Sequence, residues 1–209
     1  MTATTSPSQP VLHDKLHETW TLDFLGWKPW VDRATDTDLS PDLRPQVEEA
    51  VGAGPNSDYT NVLANDLDAL RARAKVHRHI YTSTDPEPSA WRELGAMTTS
   101  RINGCVFCAS VHARMYANFS KRRDLAQTFL DDGLVADLPA AERAVVDLAA
   151  RVTKDPESLT GADFAPLRDL GFDDLTILDV INYASFFANA NRLMLTLGEP
   201  TPPANQPKG

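Results

Sequence analysis

Apolar residues recur every three or four positions along most of the chain, and no stretch sustains an alternation of apolar and polar residues. This pattern predicts an all-α protein without a sheet. None of the 15 prolines lies between Ser89 and Leu138, so proline does not interrupt a helix there. The predicted helices lie at about 42–52, 58–82, 87–102, 105–118, 121–131, 139–152, 161–169 and 173–197. Helix starts are indicated by Asp42, Asp58, Pro139, Thr160 and Asp173.

The last predicted helix, 173–197, carries large apolar side chains around its circumference. Such a helix is expected to be buried at the centre of the domain or against another subunit. Its polar residues should then be hydrogen-bonded, either as fasteners of an interface, which we favour, or as part of a pocket. The apolar residues are Leu175, Leu178, Ile181, Phe186, Leu193 and Leu197, and the polar ones are Asn182, Asn189, Asn191 and Arg192.

The two ends of the chain differ from its middle. Residues 1–10 and 200–209 are rich in Pro, Ser, Thr and Gln, and we expect them to be disordered. Three of the four tryptophans lie between His17 and Trp30, and such side chains are costly to leave in water. An arm at 1–35 should therefore dock on its own domain or, as we favour, on a neighbouring subunit; a cofactor or substrate platform is the alternative. The helical domain is expected at 36–199, with a tail at 200–209.

Composition and charge narrow the classes of partner. A chain of 209 residues with 42% hydrophobic residues can bury the core of one domain. The 20 basic and 29 acidic residues give a net charge of −9, which argues against nucleic acid or an anionic membrane as a partner. No apolar run approaches the roughly 18 residues of a membrane span, and the polar start lacks the apolar segment of a signal peptide. We expect a cytoplasmic protein, and in that reducing compartment a two-cysteine protein is more often catalytic than disulfide-bonded.

Both cysteines of the chain lie in one short segment that also contains a histidine. Cys105, Cys108 and His112 fall at positions i, i+3 and i+7, so on a helix they lie along one stripe. Asn103 is a good N-cap and Gly104 allows a turn, which places Cys105 in the first helical turn. Because unpaired N–H groups there favour a thiolate, we expect Cys105 to be the more acidic and more exposed sulfur.

The cysteine pair has three interpretations. The one that we favour is a dithiol that cycles to a disulfide, because one sulfur of a CxxC pair can attack a substrate and the other can resolve the product. A zinc or copper site is the second, although the chain offers no further cysteine as a ligand. Two buried structural cysteines are the third. His77 and His79, two residues apart, point to different faces of a helix, so at most one of them approaches the site, and we favour a surface or packing role for both.

Glu93 lies twelve residues before Cys105, in the helix predicted at 87–102. A chain break near Asn103 and Gly104 would let the two helices cross and bring this carboxylate back to the sulfurs. Glu93 and His112 would then form a proton relay. The alternative is that Glu93 is a solvated surface carboxylate.

The string Glu93-x6-Ser100-x4-Cys105-x2-Cys108-x3-His112 resembles the signature of the alkylhydroperoxidase D (AhpD)-like proteins, the superfamily that also contains the carboxymuconolactone decarboxylases. The resemblance covers residues 41–199, and the segments at 138–149, 153–156, 170–174 and 188–193 are similar to its peroxidase-related branch. It implies an AhpD-like helical bundle with CxxC at a helix N-terminus, a homo-oligomer, and hydroperoxide reduction. It also implies that Glu93 and His112 relay a proton. Cys108 would attack the peroxide, and Cys105 would resolve the sulfenic acid as a disulfide.

The leading hypothesis is therefore a peroxidase-type oxidoreductase that needs no bound organic cofactor or metal and is restored by an external dithiol or protein reductant. Its expected catalytic residues are Cys105, Cys108, His112 and Glu93. A second hypothesis is a decarboxylase or isomerase acting on a small acid, in which His112 and Glu93 perform acid–base chemistry and the thiols are secondary. A third is a non-enzymatic oligomer that binds a metal or senses redox state.

Overall fold

A computed structural model describes residues 20–34, 57–81 and 86–202 and the isolated Pro45. This part contains eight α-helices and a pair of short strands, which confirms the predicted helical fold. In chain order the elements are β1 (Gly26–Pro29), α1 (Asp58–Leu63), α2 (Leu67–Tyr81), α3 (Pro86–Ile102), α4 (Val106–Ser120), α5 (Arg123–Asp132), α6 (Ala140–Lys154), α7 (Ala165–Asp169), α8 (Asp174–Leu197) and β2 (Gly198–Thr201). Apart from Pro45, the helix predicted at 42–52 lies outside the described residues. None of the described helices combines the length and the apolar character needed to cross a bilayer.

Helix α3 is the centre of the bundle. Every residue from 92 to 100 is buried, and the helix packs against α4, α6 and α8. Met97 is 0% exposed, and neighbouring small residues let the surrounding helices approach. A hydroxyl in such a place needs a partner, and Thr98 Oγ1 donates to the Leu94 carbonyl at 2.8 Å. Residues of α3 are therefore fixed by packing on all sides.

Helix α8 packs on one side of α3, so the central position that we considered for α8 belongs to α3. Its inner face buries Ile177, Val180 and Tyr183. Its outer face leaves Leu175 65% and Leu178 50% exposed in the single chain. Burial of this outer face against another subunit stays a prediction.

A two-stranded antiparallel sheet contradicts the prediction of a protein without a sheet. In its register, Gly26 lies opposite Thr201 and Pro29 lies opposite Gly198. Each strand has four residues, too few for an alternating pattern to be recognised. Both strands also contain glycine and proline, which are depleted in strands generally. The pairing results from tertiary packing, which brings the end of α8 back to the N-terminal arm.

The helix predicted at 58–82 is interrupted, and α1 and α2 are separate helices. At the break, the Asn65 side chain donates to the Val62 carbonyl at 2.9 Å. One residue later, the Asp66 carboxylate accepts a hydrogen bond from the Ala69 N–H at 3.0 Å. Short polar side chains that bond to the backbone in this way end one helix and begin the next. The break was not predicted because apolar residues continue at helical spacing across it.

The described part of the N-terminal arm, residues 20–34, packs on its own chain. Trp27 is buried, and its Nε1 donates to the Met194 carbonyl at 3.2 Å. The Arg101 guanidinium lies 4.0 Å from the centre of the Trp20 ring. These two tryptophans are thus covered without the neighbouring subunit that we favoured as their partner, whereas Trp30 remains 50% exposed.

Replacing Gly198 with alanine should destabilise the protein by disturbing the arm. A Cβ at this position would lie 2.4 Å from Cζ2 of Trp27 and 2.5 Å from the Lys28 carbonyl oxygen, distances at which the atoms overlap. The backbone there is extended, so the cost comes from overlap and not from a forbidden φ. We expect the free energy of unfolding, measured by urea denaturation, to fall by about 1–3 kcal/mol, the usual range for overpacking.

Gly161→Ala is the matched control. A Cβ at position 161 meets nothing within 4 Å, so this substitution should leave the free energy of unfolding nearly unchanged. Equal stability of both variants would show that the arm does not pack on Gly198 as described.

Candidate active site

The turn between α3 and α4 sets the position of the sulfurs. Gly104 has a φ of +77°, in the left-handed region that favours glycine. The N–H of the next residue, Cys105, donates to the Ser100 carbonyl at 2.9 Å, the bond typical of a Schellman turn at a helix end. Cys105 is also the N-cap of α4. The predicted turn at Gly104 is confirmed, and α3 and α4 pack against each other across it.

The predicted N-cap, Asn103, is wrong, because Cys105 takes that position. The left-handed Gly104 first closes α3, so the new helix begins only after it. Asn103 remains bonded to α3 through its N–H, which donates to the Thr99 carbonyl at 2.9 Å. Its side chain instead reaches α8, where Nδ2 donates to Asn191 Oδ1 at 3.0 Å.

The two thiols are free and hydrogen-bonded to each other inside the protein. Cys105 is 2% exposed and Cys108 is 5% exposed, so the predicted exposure of Cys105 is wrong for the single chain. The hydrogen bond from Cys108 lowers the pKa of Cys105, which is the predicted direction. The same bond and burial raise the pKa of Cys108. Within the pair, Cys105 is therefore the more acidic thiol and Cys108 the less acidic one.

Asn191 connects the thiols to α8. Its side chain is completely buried, and Nδ2 donates to Ser100 Oγ at 3.1 Å. It also hydrogen-bonds both cysteine side chains, which helps to lower the pKa of Cys105 and offsets part of the rise at Cys108. A buried amide requires partners of this kind. Asn191 thus belongs to the site, which is the alternative that we ranked below an interface fastener.

Glu93 of α3 and His112 of α4 form a buried acid–base pair. The distance between His112 Nδ1 and Glu93 Oε2 is 2.6 Å, and the side chains are 5% and 2% exposed. Because a carboxylate accepts hydrogen bonds, this contact favours the neutral tautomer of His112 with the proton on Nδ1 and the lone pair on Nε2. The predicted return of Glu93 across the turn is confirmed, and the surface alternative for this residue is wrong.

A second hydrogen-bonded connection leads from Glu93 to α2. The Tyr183 hydroxyl donates to Glu93 Oε1 at 3.4 Å and lies 3.4 Å from His77 Nε2. Burial, followed by the positive charge of Arg73, lowers the pKa of His77 to about 4. The His77 ring is therefore neutral near pH 7. Only one histidine of α2 approaches the site, as the spacing predicted, and His79 is exposed.

Aromatic side chains surround the sulfurs and the imidazole. Trp27 and Tyr59 meet edge to face with ring centres 5.7 Å apart, and both pack in the cluster that contains the two cysteines. The ring centre of Phe187 lies 3.9 Å from that of His112. The sequence pattern has no signal for Tyr59 or Phe187, which come from segments far from the CxxC pair, but it does single out the tryptophan-rich arm that contains Trp27. It also singles out Asn191, because this residue is polar and lies inside an apolar helix.

Metal ligation was one interpretation of the cysteines. Within the described ranges, no group of three or more His, Cys, Asp or Glu side chains is arranged to hold a metal ion. His112 shares a helix with both sulfurs, but its Nδ1 is bonded to Glu93. The described geometry therefore gives the metal-binding interpretation no support.

The chain is similar in sequence to a known protein family and in fold to several solved structures. The carboxymuconolactone decarboxylase family model matches residues 68–151. At 26% identity, the AhpD-core, peroxidase-related protein of Ralstonia eutropha JMP134 has a TM-score of 0.65 over 84% of this chain and 90% of its own. The peroxidase-related protein of Silicibacter sp. TM1040, also 26% identical, has a TM-score of 0.63 over 83% and 94%. The debrominase Bmp8, 19% identical with a TM-score of 0.57 over 84% and 91%, shares the fold alone. No curated protein matches the chain.

The family match extends from the start of α2 into α6. It therefore includes Glu93, both cysteines and His112, the four residues predicted to form the site. Residues 68–151 are thus similar to the carboxymuconolactone decarboxylase family, and the chain has the all-α fold of the AhpD-core, peroxidase-related proteins, as the sequence resemblance implied.

Proposed function

We propose that this protein is a thiol-dependent oxidoreductase that reduces organic hydroperoxides. The observation that carries the proposal is the buried Glu93–His112 pair, in which His112 lies one helical turn after Cys108 on α4, the helix whose N-cap is the second free, buried thiol. Structural cysteines require only packing around them. A hydrogen-bonded imidazole and carboxylate beside two thiols are typical of a site in which a proton must move.

Cys108 is the sulfur that attacks the peroxide. His112 lies one helical turn beyond it on the same face, and the lone pair on Nε2 takes the thiol proton. Glu93 holds the imidazole in this tautomer and stabilises the charge that forms on it. The thiolate bonds to the terminal oxygen of the hydroperoxide, the O–O bond breaks, and the alkoxide leaves as an alcohol with the proton returned from His112. Sulfur is oxidised to a sulfenic acid and the peroxide is reduced.

Cys105 completes the half-reaction. Its lowered pKa favours the thiolate, which attacks the sulfenic sulfur of Cys108. An S–S bond forms, the S–O bond breaks, and the departing hydroxide takes up the proton that Cys105 released and leaves as water. An external dithiol or protein reductant then attacks the disulfide, is itself oxidised, and restores both thiols. We place this cycle in the cytoplasm, where such reductants are maintained. The sulfurs carry the electrons, so the cycle requires no organic cofactor.

The Cys105→Ser variant should stop after the first oxidation. Without the resolving sulfur, Cys108 should accumulate as a sulfenic acid after one equivalent of cumene hydroperoxide. Dimedone traps this species, and mass spectrometry of the digested protein locates the adduct. Cys108→Ser, the matched variant, should give no adduct. An adduct on Cys105 of that variant alone would reverse the two roles, and peroxide consumption by neither variant nor the wild type would reject the function.

A second candidate is a decarboxylase or isomerase that acts on a small acid. The Glu93–His112 pair supports this candidate, because it can move a proton at carbon without any change at sulfur. The matching family model also carries the description of a decarboxylase family. In this mechanism His112 Nε2 exchanges the proton with the substrate and the cysteines only shape the site. Turnover of a small acid that survives Cys108→Ser but is lost in His112→Ala would favour this candidate over peroxide reduction.

Glu93→Gln should strongly reduce peroxide turnover without unfolding the protein. The amide keeps the shape of the carboxylate but cannot stabilise the imidazolium that forms during proton transfer. We expect kcat/KM for cumene hydroperoxide to fall by roughly a hundredfold or more. Glu142→Gln is the matched control, because this buried carboxylate accepts a hydrogen bond from the Tyr116 hydroxyl at 3.2 Å, away from the thiols. Equal activity of both variants would remove Glu93 from the mechanism.

We also propose that the protein is a homo-oligomer in which a second copy covers the outer face of α8. Leu175 and Leu178 lie three residues apart on this face and are at least half exposed in the single chain. Adjacent apolar side chains of this size favour an interaction surface.

Leu178→Asp should therefore lower the mass of the protein in solution, measured by light scattering during size-exclusion chromatography. A charge placed in an apolar interface is desolvated without a partner, which weakens association. Leu195→Asp is the control, since Leu195 is 36% exposed on a different face of α8. A wild-type mass of 23.0 kDa, that of one chain, would contradict the oligomer.

A further inference from the structure

Arg73 of α2 carries a positive charge that lies next to the thiol site. Its guanidinium carbon lies 4.6 Å from the centre of the Phe186 ring and 5.5 Å from that of Tyr59. Its Nε is buried and has no hydrogen-bond partner, and no carboxylate among the described residues pairs with it. The buried Arg92, in contrast, pairs with Asp179 at 3.3 Å. A half-buried guanidinium whose Nε is shielded from water and meets no anion is a costly arrangement unless a ligand supplies one.

A second unsatisfied donor lies beside this guanidinium. The Tyr59 hydroxyl is buried, and its hydrogen-bonding neighbour among the described residues is Arg73, itself a donor, so the hydroxyl proton has no acceptor there. Burial raises the pKa of Tyr59 to about 12, so the hydroxyl keeps its proton and is available as a donor. The Tyr59 ring packs against the cluster that contains both cysteines. The two donors thus lie on the side of the sulfurs that faces α1 and α2.

We propose that Arg73 and Tyr59 bind the carboxylate of the substrate, so that the preferred substrate is an organic hydroperoxide that also carries a carboxylate group. A guanidinium and a hydroxyl are together suited to the oxygens of a carboxylate. This inference rests on the proposed peroxide reduction. Binding of the carboxylate would place the O–O bond of the same molecule near Cys108. Arg73 and Tyr59 are then specificity-determining residues and take no proton or electron in the reaction.

The surroundings of Arg73 indicate the rest of the substrate. Phe186 stacks on the neutral ring of His77 with ring centres 5.1 Å apart, and Phe187 packs against Phe186 at 5.4 Å. These flat, uncharged surfaces favour an aromatic or other apolar group between the carboxylate and the hydroperoxide. Small inorganic peroxide offers neither group.

Turnover of a matched pair of substrates tests the proposal. One is the para-carboxylate of cumene hydroperoxide and the other is its methyl ester, which differs in charge but has the same reactive group. The wild-type full-length protein should have a kcat/KM roughly tenfold to a hundredfold higher for the acid, the factor expected for a charge-assisted hydrogen bond. Arg73→Met should remove this preference, so that the ratio of kcat/KM for the acid to that for the ester falls close to one.

Three further variants separate specificity from damage to the fold. Arg71→Met changes the same side chain two residues away, where Arg71 pairs with Asp68 at 3.4 Å on the surface, and should keep the preference. Arg73→Lys retains the charge and should keep part of the preference for the acid. Tyr59→Phe removes only the hydroxyl and should reduce the preference for the acid. Equal loss of activity with both substrates in Arg73→Met would overturn the proposal, because it would mean that Arg73 acts on the sulfur and not on the carboxylate.

A binding measurement keeps this proposal separate from the proposed reaction. Calorimetry of the reduced protein with para-isopropylbenzoate and para-isopropylbenzamide, which contain no peroxide, should show tighter binding of the acid, and Arg73→Met should abolish the difference. Selective binding without any peroxide turnover would support the carboxylate site and reject the peroxidase. Turnover of both peroxides at equal rates, with no preference for the acid in either measurement, would reject the carboxylate site and leave the peroxidase in place.

Discussion

The hydrogen bond between Glu93 and His112 is the interaction on which the rest of the site depends. Both ionisable side chains are almost completely buried, and His112 Nδ1 lies 2.6 Å from Glu93 Oε2. Each side chain therefore offsets part of the free-energy cost of burying the other. The bond requires α3 and α4 to pack in one register, and Gly104 provides the turn that allows it. Because α3 is enclosed on all sides, the packing of the core also fixes the carboxylate. Stability and the proposed chemistry therefore share one contact.

The site divides into a local part and a part assembled from distant segments. The α3–α4 pair supplies the groups that react, and these lie within twenty residues of one another. The surrounding segments set their environment: α8 contributes Asn191 and Tyr183, α2 contributes His77 and Arg73, and the arm contributes Trp27. A change in these outer residues can alter the substrate while the reacting groups stay in place, which is consistent with a fold shared by peroxidase-related proteins and a debrominase.

Features that depend on chain neighbours were predictable, whereas those that depend on packing were not. Helical spacing aligned the two cysteines with His112, and the glycine at 104 marked the turn that returns Glu93. Cys105 caps the helix in place of Asn103 because the backbone of Gly104 is left-handed. A glycine permits that conformation but does not require it. The strand pair, and the approach of Tyr183 to a carboxylate 90 residues earlier, arise only when distant elements meet. No periodicity within a short window contains that information.

The strand pair also constrains the order in which the protein is completed. Trp27 packs against the thiols and is held by β1, whose partner β2 lies at Gly198–Thr201, after the last helix. Since ribosomes make the cysteines well before these residues, the tryptophan cannot take its final place until the second strand has emerged. A nascent chain therefore passes through a stage in which the two sulfurs have been made but the tryptophan that covers them has not yet been fixed in place.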